Sequence, residues 1–206
     1  MGGRVKGPGW HCVERCQASA APGLPACRRL LPTRGPCELN HDFLWRYQRA
    51  LPGRGRIGIF NRSHYEDVLV ARVRKLVPKA VWEPRYDDIT AFESLLVQGG
   101  TTIVKCCLLI SRDEQRRRFE ERLKDPQKRW KFQRGDLEDR GLWTEYQKAY
   151  SEAIERTSTE DAPWYIIPSD HKWFRNWAVS RLLIETLTGM DPKYPQPPDL
   201  GGITIS

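Results

Sequence analysis

Residues 56–66 (RIGIFNRSHYE) constrain the fold of this chain more than any other stretch, because a short apolar run stops there and turns polar at once. Ile57, Ile59 and Phe60 read as a buried strand, and Ser63-x-x-Glu66 has the spacing of a capping box that opens a helix. Residues 101–110 (TTIVKCCLLI) followed by Ser111-x-x-Glu114 repeat the switch, and residues 164–167 followed by Asp170 repeat it again. Strands alternating with helices predict an α/β architecture with a parallel sheet and right-handed crossovers. In such sheets ligands gather at the carboxyl ends of the strands, so Asn61, Arg62 and Glu66 stand where chemistry is usually done.

With 206 residues the chain has room for one full domain and an appended subdomain. Lys105 interrupts the longest apolar run, and nothing approaches the ~18 residues that a membrane span needs. The formal charge of +8 is concentrated at one end: residues 1–37 carry six Arg or Lys against Glu14 alone, which leaves +3 for the remainder. A nucleic-acid partner is therefore not expected of the folded part. Four cysteines (Cys12, Cys16, Cys27, Cys37) share that first segment without a zinc spacing, and Cys106 and Cys107 are adjacent in an apolar strand. All six read as free thiols in a reducing cytoplasm.

Eleven Gly or Pro and no period of 2 or 3.6 make residues 1–37 an unpatterned segment expected to be disordered. From Glu38 the texture is globular. Residues 42–50 place Phe43, Leu44, Tyr47 and Ala50 at helical spacing, a helix from Ser63 buries Val68, Leu69, Val73 and Leu76, and a helix over 88–98 buries Ile89, Phe92, Leu95 and Leu96 before stopping at Gly99-Gly100. Residues 101–110 suit a central strand covered on both faces. Residues 112–156 form long, highly charged helices broken near Asp125-Pro126, Asp170 opens the last helix, and the Pro-rich tail is irregular.

Three groups of side chains can carry chemistry. At the first strand end, Asn61, Arg62, Glu66 and Asp67 combine a neutral oxygen, a guanidinium and two carboxylates, a set suited to a hydrated magnesium ion beside phosphate; equally, Glu66 can cap the helix while Arg62 pairs with an acid. Six cations over residues 122–134, with Trp130 among them, can form a mobile arm over a polyanion, or a solvated face whose charge the neighbouring acids balance. Trp130 is either a base-stacking platform or a core residue. Lys172 and Arg175 at a helix start are wasted on the dipole, so either an anionic partner or plain exposure accounts for them. His41, His64 and His171 have no nucleophile or metal-ligand spacing and read as packing or surface residues.

IGIFNRSHYEDVL, DPQKRWKFQRGDLEDRGLWTEYQKAY and TSTEDAPWYIIPSDHKWFRNWAVSRLLIETL together resemble the polyphosphate kinase 2 family over residues 38–198, in order and in register, and most closely its AMP- and ADP-acting branch. The resemblance implies a P-loop kinase-like three-layer α/β/α domain with a helical lid over about residues 112–156 and a tail at 199–206. It further implies magnesium-dependent phosphoryl transfer between inorganic polyphosphate and an adenine nucleotide, and leaves a homo-oligomer open. It places Asn61 and Arg62 beside metal and phosphate, with Glu66 as a second metal contact. It makes Arg122, Lys128, Arg129 and Lys131 the lid cations that grip the polymer, with Lys172 and Arg175 as further phosphate contacts. One departure stands out: the family's Gly-rich loop with its Lys has no counterpart here. The sheet is accordingly expected to be incomplete on its N-terminal side, lacking the loop's strand and one beside it, with apolar strand surface left uncovered. A polyphosphate-binding chain without turnover is the alternative that this departure implies.

Overall fold

A computed structural model of the chain describes residues 26–30 and 40–194. Strand β1 (Ala26–Leu30) pairs in parallel with β2 (Ile57–Asn61), Ala26 opposite Ile57 and Leu30 opposite Asn61. Between them lies the single turn α1 (Trp45–Gln48). After β2 come α2 (Glu66–Val73), the short α3 (Lys79–Trp82) and α4 (Arg85–Gln98). Strand β3 (Lys105–Leu109) leads into α5 (Arg112–Lys124), a 3-10 turn at Arg129–Lys131, α6 (Arg134–Gly141) and α7 (Trp143–Thr157). Strand β4 (Trp164–Pro168) returns parallel to β3, Lys105 opposite Trp164, and α8 (Lys172–Met190) follows.

The parallel sheet is thus in two two-stranded pieces, and no described strand joins them. Parallel strands are normally buried on both faces. Every residue of β3 is buried or half-buried, but among the described residues it pairs with β4 alone and so is not seen as a central strand, while Ile59 of β2 and Tyr165 and Ile166 of β4 are exposed, in keeping with uncovered apolar strand surface. Strand β1 corrects a second expectation, because it lies inside the stretch read as unpatterned. Parallel pairing is made by backbone groups and does not require a side-chain alternation, which is why periodicity missed it. The rest of that stretch through residue 39, with Cys12, Cys16 and Cys37, and the tail from 195 lie outside the described residues.

The core is helical. Val68, Leu69 and Val73 of α2, Tyr86, Ile89 and Phe92 of α4, and Tyr146, Ala149 and Ala153 of α7 pack together with Phe43, Leu44, Tyr65 and Trp82. Tyr146, Ala149, Ala153 and Thr157 recur at helical spacing, so α7 presents a smooth stripe that lets α2 come close. Fully buried Ile89 and Val68 contribute about 1.5–3 kcal/mol each. Leu76 (60% exposed) and Leu95 (66% exposed) were expected in this core and are outside it. Leu76 lies beyond the end of α2, and α4 buries the side carrying Tyr86, Ile89, Phe92 and Glu93, with Leu95 turned away. Helix α4 ends as its glycines require: Gly100 takes φ 86° while Thr101 N donates to Leu96 O at 3.0 Å.

Because Ala149 has no accessible surface, Ala149→Leu forces an added isopropyl group into the α2–α7 contact. A loss of about 1–3 kcal/mol is expected, read as a lower urea midpoint with an unchanged slope.

Candidate functional site

Strand β2 ends at Asn61, and the chain then makes an unusual turn: Arg62 has φ 71°, in the left-handed region. The capping box expected at Ser63 does not form. Helix α2 begins at Glu66 without a side-chain cap, and Ser63 contributes only its carbonyl, which accepts from Glu66 N at 3.1 Å. Arg62 Nε lies 3.3 Å from Glu66 Oε1, both side chains about one-third exposed. Burial pushes the Glu66 carboxyl up, Arg62 pulls it down, and neighbouring Asp67 pushes it up again. Asp67 itself lies 3.6 Å from Arg85, which also donates to the Asp67 carbonyl at 2.9 Å.

Behind this turn lies a buried polar network that sequence reasoning missed. Lys105 Nζ donates to Glu93 Oε2 at 2.6 Å, to the Thr157 carbonyl at 2.7 Å and to the Tyr65 hydroxyl at 3.2 Å. Tyr65 in turn donates to Glu93 Oε1 at 2.9 Å, and His64 Nε2 is 3.2 Å from the same oxygen. Burial alone raises the Glu93 carboxyl, but hydrogen bonds from His64 and Lys105 outweigh it and hold Glu93 below its ordinary range. Burial lowers Lys105, with Glu93 opposing. Three oxygen partners thus surround the one ammonium. The available signal was a lone Lys in an apolar strand, which the sequence showed only as an interruption.

The β3 and β4 ends are joined to each other. Ser111 caps α5 as expected, its hydroxyl accepting from Glu114 N at 3.1 Å. Asp170 does not cap the last helix: His171 is its N-cap, and Asp170 Oδ1 accepts from Ser111 N at 2.6 Å. Arg118 donates to Ser169 O at 2.7 Å and to Glu114 Oε1 at 2.7 Å. A hydrogen bond from Arg117, with Arg118 beside it, outweighs desolvation and holds Glu114 down at about 2. An open cleft of about 490 Å³ lies here, lined by Ser111, Asp113, Glu114, Arg117, Asp170 and His171. Lys172 is exposed at the start of α8, whereas Arg175 is buried and donates to Asn176 Oδ1 at 2.9 Å. The two expected phosphate cations of α8 therefore differ in exposure.

Of the lid cations, Arg122 ends α5 with its guanidinium 5.6 Å from the Phe119 ring centre. Lys128 pairs with Asp125 at 2.8 Å, Arg129 donates to Leu123 O at 2.8 Å, and Lys131 sits 5.4 Å from the Trp130 ring centre. These described contacts are local to the lid. Trp130 is 76% exposed and so is no core residue. The lid is tied to the body further along, where Arg74 meets Asp139 at 2.7 Å and Tyr146 donates to the same carboxylate at 3.1 Å.

A parallel α/β domain whose strand ends run into helix starts, with a charged helical lid inserted between β3 and β4, is P-loop kinase-like in class. The chain belongs to the polyphosphate kinase 2 family, whose model matches residues 28–195 and so begins within β1. It is 59% identical over 160 residues to the AMP/ADP-polyphosphate phosphotransferase of Meiothermus ruber, covering 78% of this chain and 60% of that protein. It is 46% identical over 171 residues to the ADP-polyphosphate phosphotransferase of Rhodopseudomonas palustris, covering 77% and 59%. The crystal structure of polyphosphate kinase 2 from Arthrobacter aurescens TC1 matches with a TM-score of 0.81 and 45% identity, over 84% of this chain and 61% of that one. The chain thus spans about 60% of the length of these relatives. Among the described residues no helix is long and apolar enough to cross a membrane.

Glu93 binds its proton less readily when folded than when unfolded, so its contribution is present above the ordinary carboxylate range and lost as pH falls through the lower folded value. The melting temperature of Glu93→Gln should start below wild type at neutral pH, because Lys105 loses its anion, yet decline less as the pH falls through and below the ordinary carboxylate range.

Proposed function

We propose that this chain moves a phosphoryl group between inorganic polyphosphate and AMP or ADP. The observation that carries the reading is the β2 end, where Arg62 is held in a left-handed turn next to Glu66 at the mouth of a family-matched strand. Strained backbone of this kind collects at functional sites. The names of the relatives support the substrate class. In this reading Arg62 neutralises charge on the phosphate in flight, since phosphoryl transfer depends on positioned positive groups more than on covalent chemistry.

Asn61 and Glu66 are the proposed magnesium contacts. The donor set fits that ion: it keeps several waters and takes one or two protein oxygens beside substrate phosphates, and an amide oxygen with a half-buried carboxylate supplies that number. When bound, the ion supplies charge neutralisation on the phosphate oxygens. Lys128, Arg129 and Lys131, with Arg122 at the root, are proposed to hold the polymer by exchanging their local lid contacts for phosphate oxygens. Lys172 is proposed as an exposed accessory contact; Arg175, buried against Asn176, is proposed to act only if α8 shifts.

The test is nucleotide production by the full chain from long-chain polyphosphate, magnesium and AMP or ADP, followed by chromatography. Arg62→Ala should lower the rate by about 10²–10³-fold. Equal rates for Arg62→Ala and wild type would remove the reading's central residue.

A further inference from the structure

A residue bearing a Cβ enters the left-handed region at a cost of about 1–2 kcal/mol, and Arg62 has no glycine's exemption. Such a conformation persists only where its surroundings over-determine it. The hydrogen bonds of the turn itself, Glu66 N to Ser63 O and Asp67 N to His64 O, both at 3.1 Å, begin only after Arg62. No side chain caps α2 to fix its first turn.

What does fix the turn is a pair of consecutive side chains gripping one carboxylate oxygen. His64 Nε2 and the Tyr65 hydroxyl lie 3.2 and 2.9 Å from Glu93 Oε1. Glu93 is anchored in turn by Lys105 from β3, and Lys105 by the Thr157 carbonyl at the end of α7. The Tyr65 ring packs against Trp164 with centroids 4.7 Å apart, so the ring is seated apart from its hydroxyl. Three elements from separate parts of the chain therefore meet on His64 and Tyr65, two of the three residues between Arg62 and Glu66.

A buried ion pair is weak evidence for stability, since apolar replacements of equal volume are often no worse. Its better-attested use is to fix one geometry among several.

We propose that Tyr65 and Glu93 are positioning residues that set the Asn61–Glu66 turn and thereby aim Arg62 at phosphate. The proposal rests on the phosphate-binding reading of Arg62 given above. Tyr65 and Glu93 are both buried, and they act through the backbone of the turn.

The experiment uses the full chain as wild type, Arg62→Ala, Tyr65→Phe and the double variant. Tyr65→Phe keeps the seated ring and removes only the hydroxyl. Calorimetric titration with inorganic polyphosphate and magnesium should show affinity reduced about tenfold by Arg62→Ala and about fivefold by Tyr65→Phe. The double variant should be no weaker than Arg62→Ala alone, because the hydroxyl matters only through that guanidinium. A double variant in which the two losses multiply overturns the proposal. Without any ligand, hydrogen exchange at the Glu66 and Asp67 amides should quicken in Tyr65→Phe while the core amides of α4 stay as in wild type; unchanged exchange at the turn overturns the proposal as well. Wild type that fails to bind polyphosphate overturns the phosphate reading of Arg62, while the exchange result still decides whether Tyr65 holds the turn.

Discussion

The contact on which the rest of this structure depends is the buried pair of Lys105 and Glu93, 2.6 Å apart. Glu93 comes from the buried side of α4, Lys105 opens β3, both bond the Tyr65 hydroxyl, and Lys105 also donates to the Thr157 carbonyl. An ion pair removed from water is tolerable only when its remaining donors and acceptors are met, and here each is. The ammonium has three oxygen partners, one Glu93 oxygen takes Lys105, and the other takes Tyr65 and His64. The helical core is thereby fastened to the second half of the sheet through polar groups as well as through the packing of Trp164 on Tyr65.

Much of this was legible from local pattern. The three strand-to-helix switches were found because apolar runs ending in Ser or Asp have few alternative readings, and the break at Asp125-Pro126 because proline ends helices by sterics. Ser111 formed its cap. Ser63 did not, because His64 and Tyr65 are pulled toward Glu93 and the helix starts three residues later. A capping box is a local preference of about 1 kcal/mol, and a buried network outweighs it.

What stayed hidden depends on partners far along the chain. Lys105 and Glu93 are 12 residues apart, and Lys105 reaches Thr157 another 52 residues on. No periodicity encodes such meetings. The same limit governs Leu95: its spacing fits an apolar stripe, yet which stripe of α4 turns inward is decided by α2 and α7. Arg175 shows the converse, a cation placed by sequence at an anion-ready helix start but folded inward against Asn176. The candidate site was thus visible as residue types, whereas its orientation came only from tertiary contact.

The lid is tethered at two places. Helix α5 is pinned at its root by Arg118 to the β4–α8 turn, and α6 is pinned by Asp139 to Arg74 of the body. Residues 125–133, carrying Lys128, Arg129 and Lys131, lie between these two pins. The segment that carries these three cations is thus flanked on both sides by contacts to the rest of the domain, Arg118 with Ser169 before it and Asp139 with Arg74 after it.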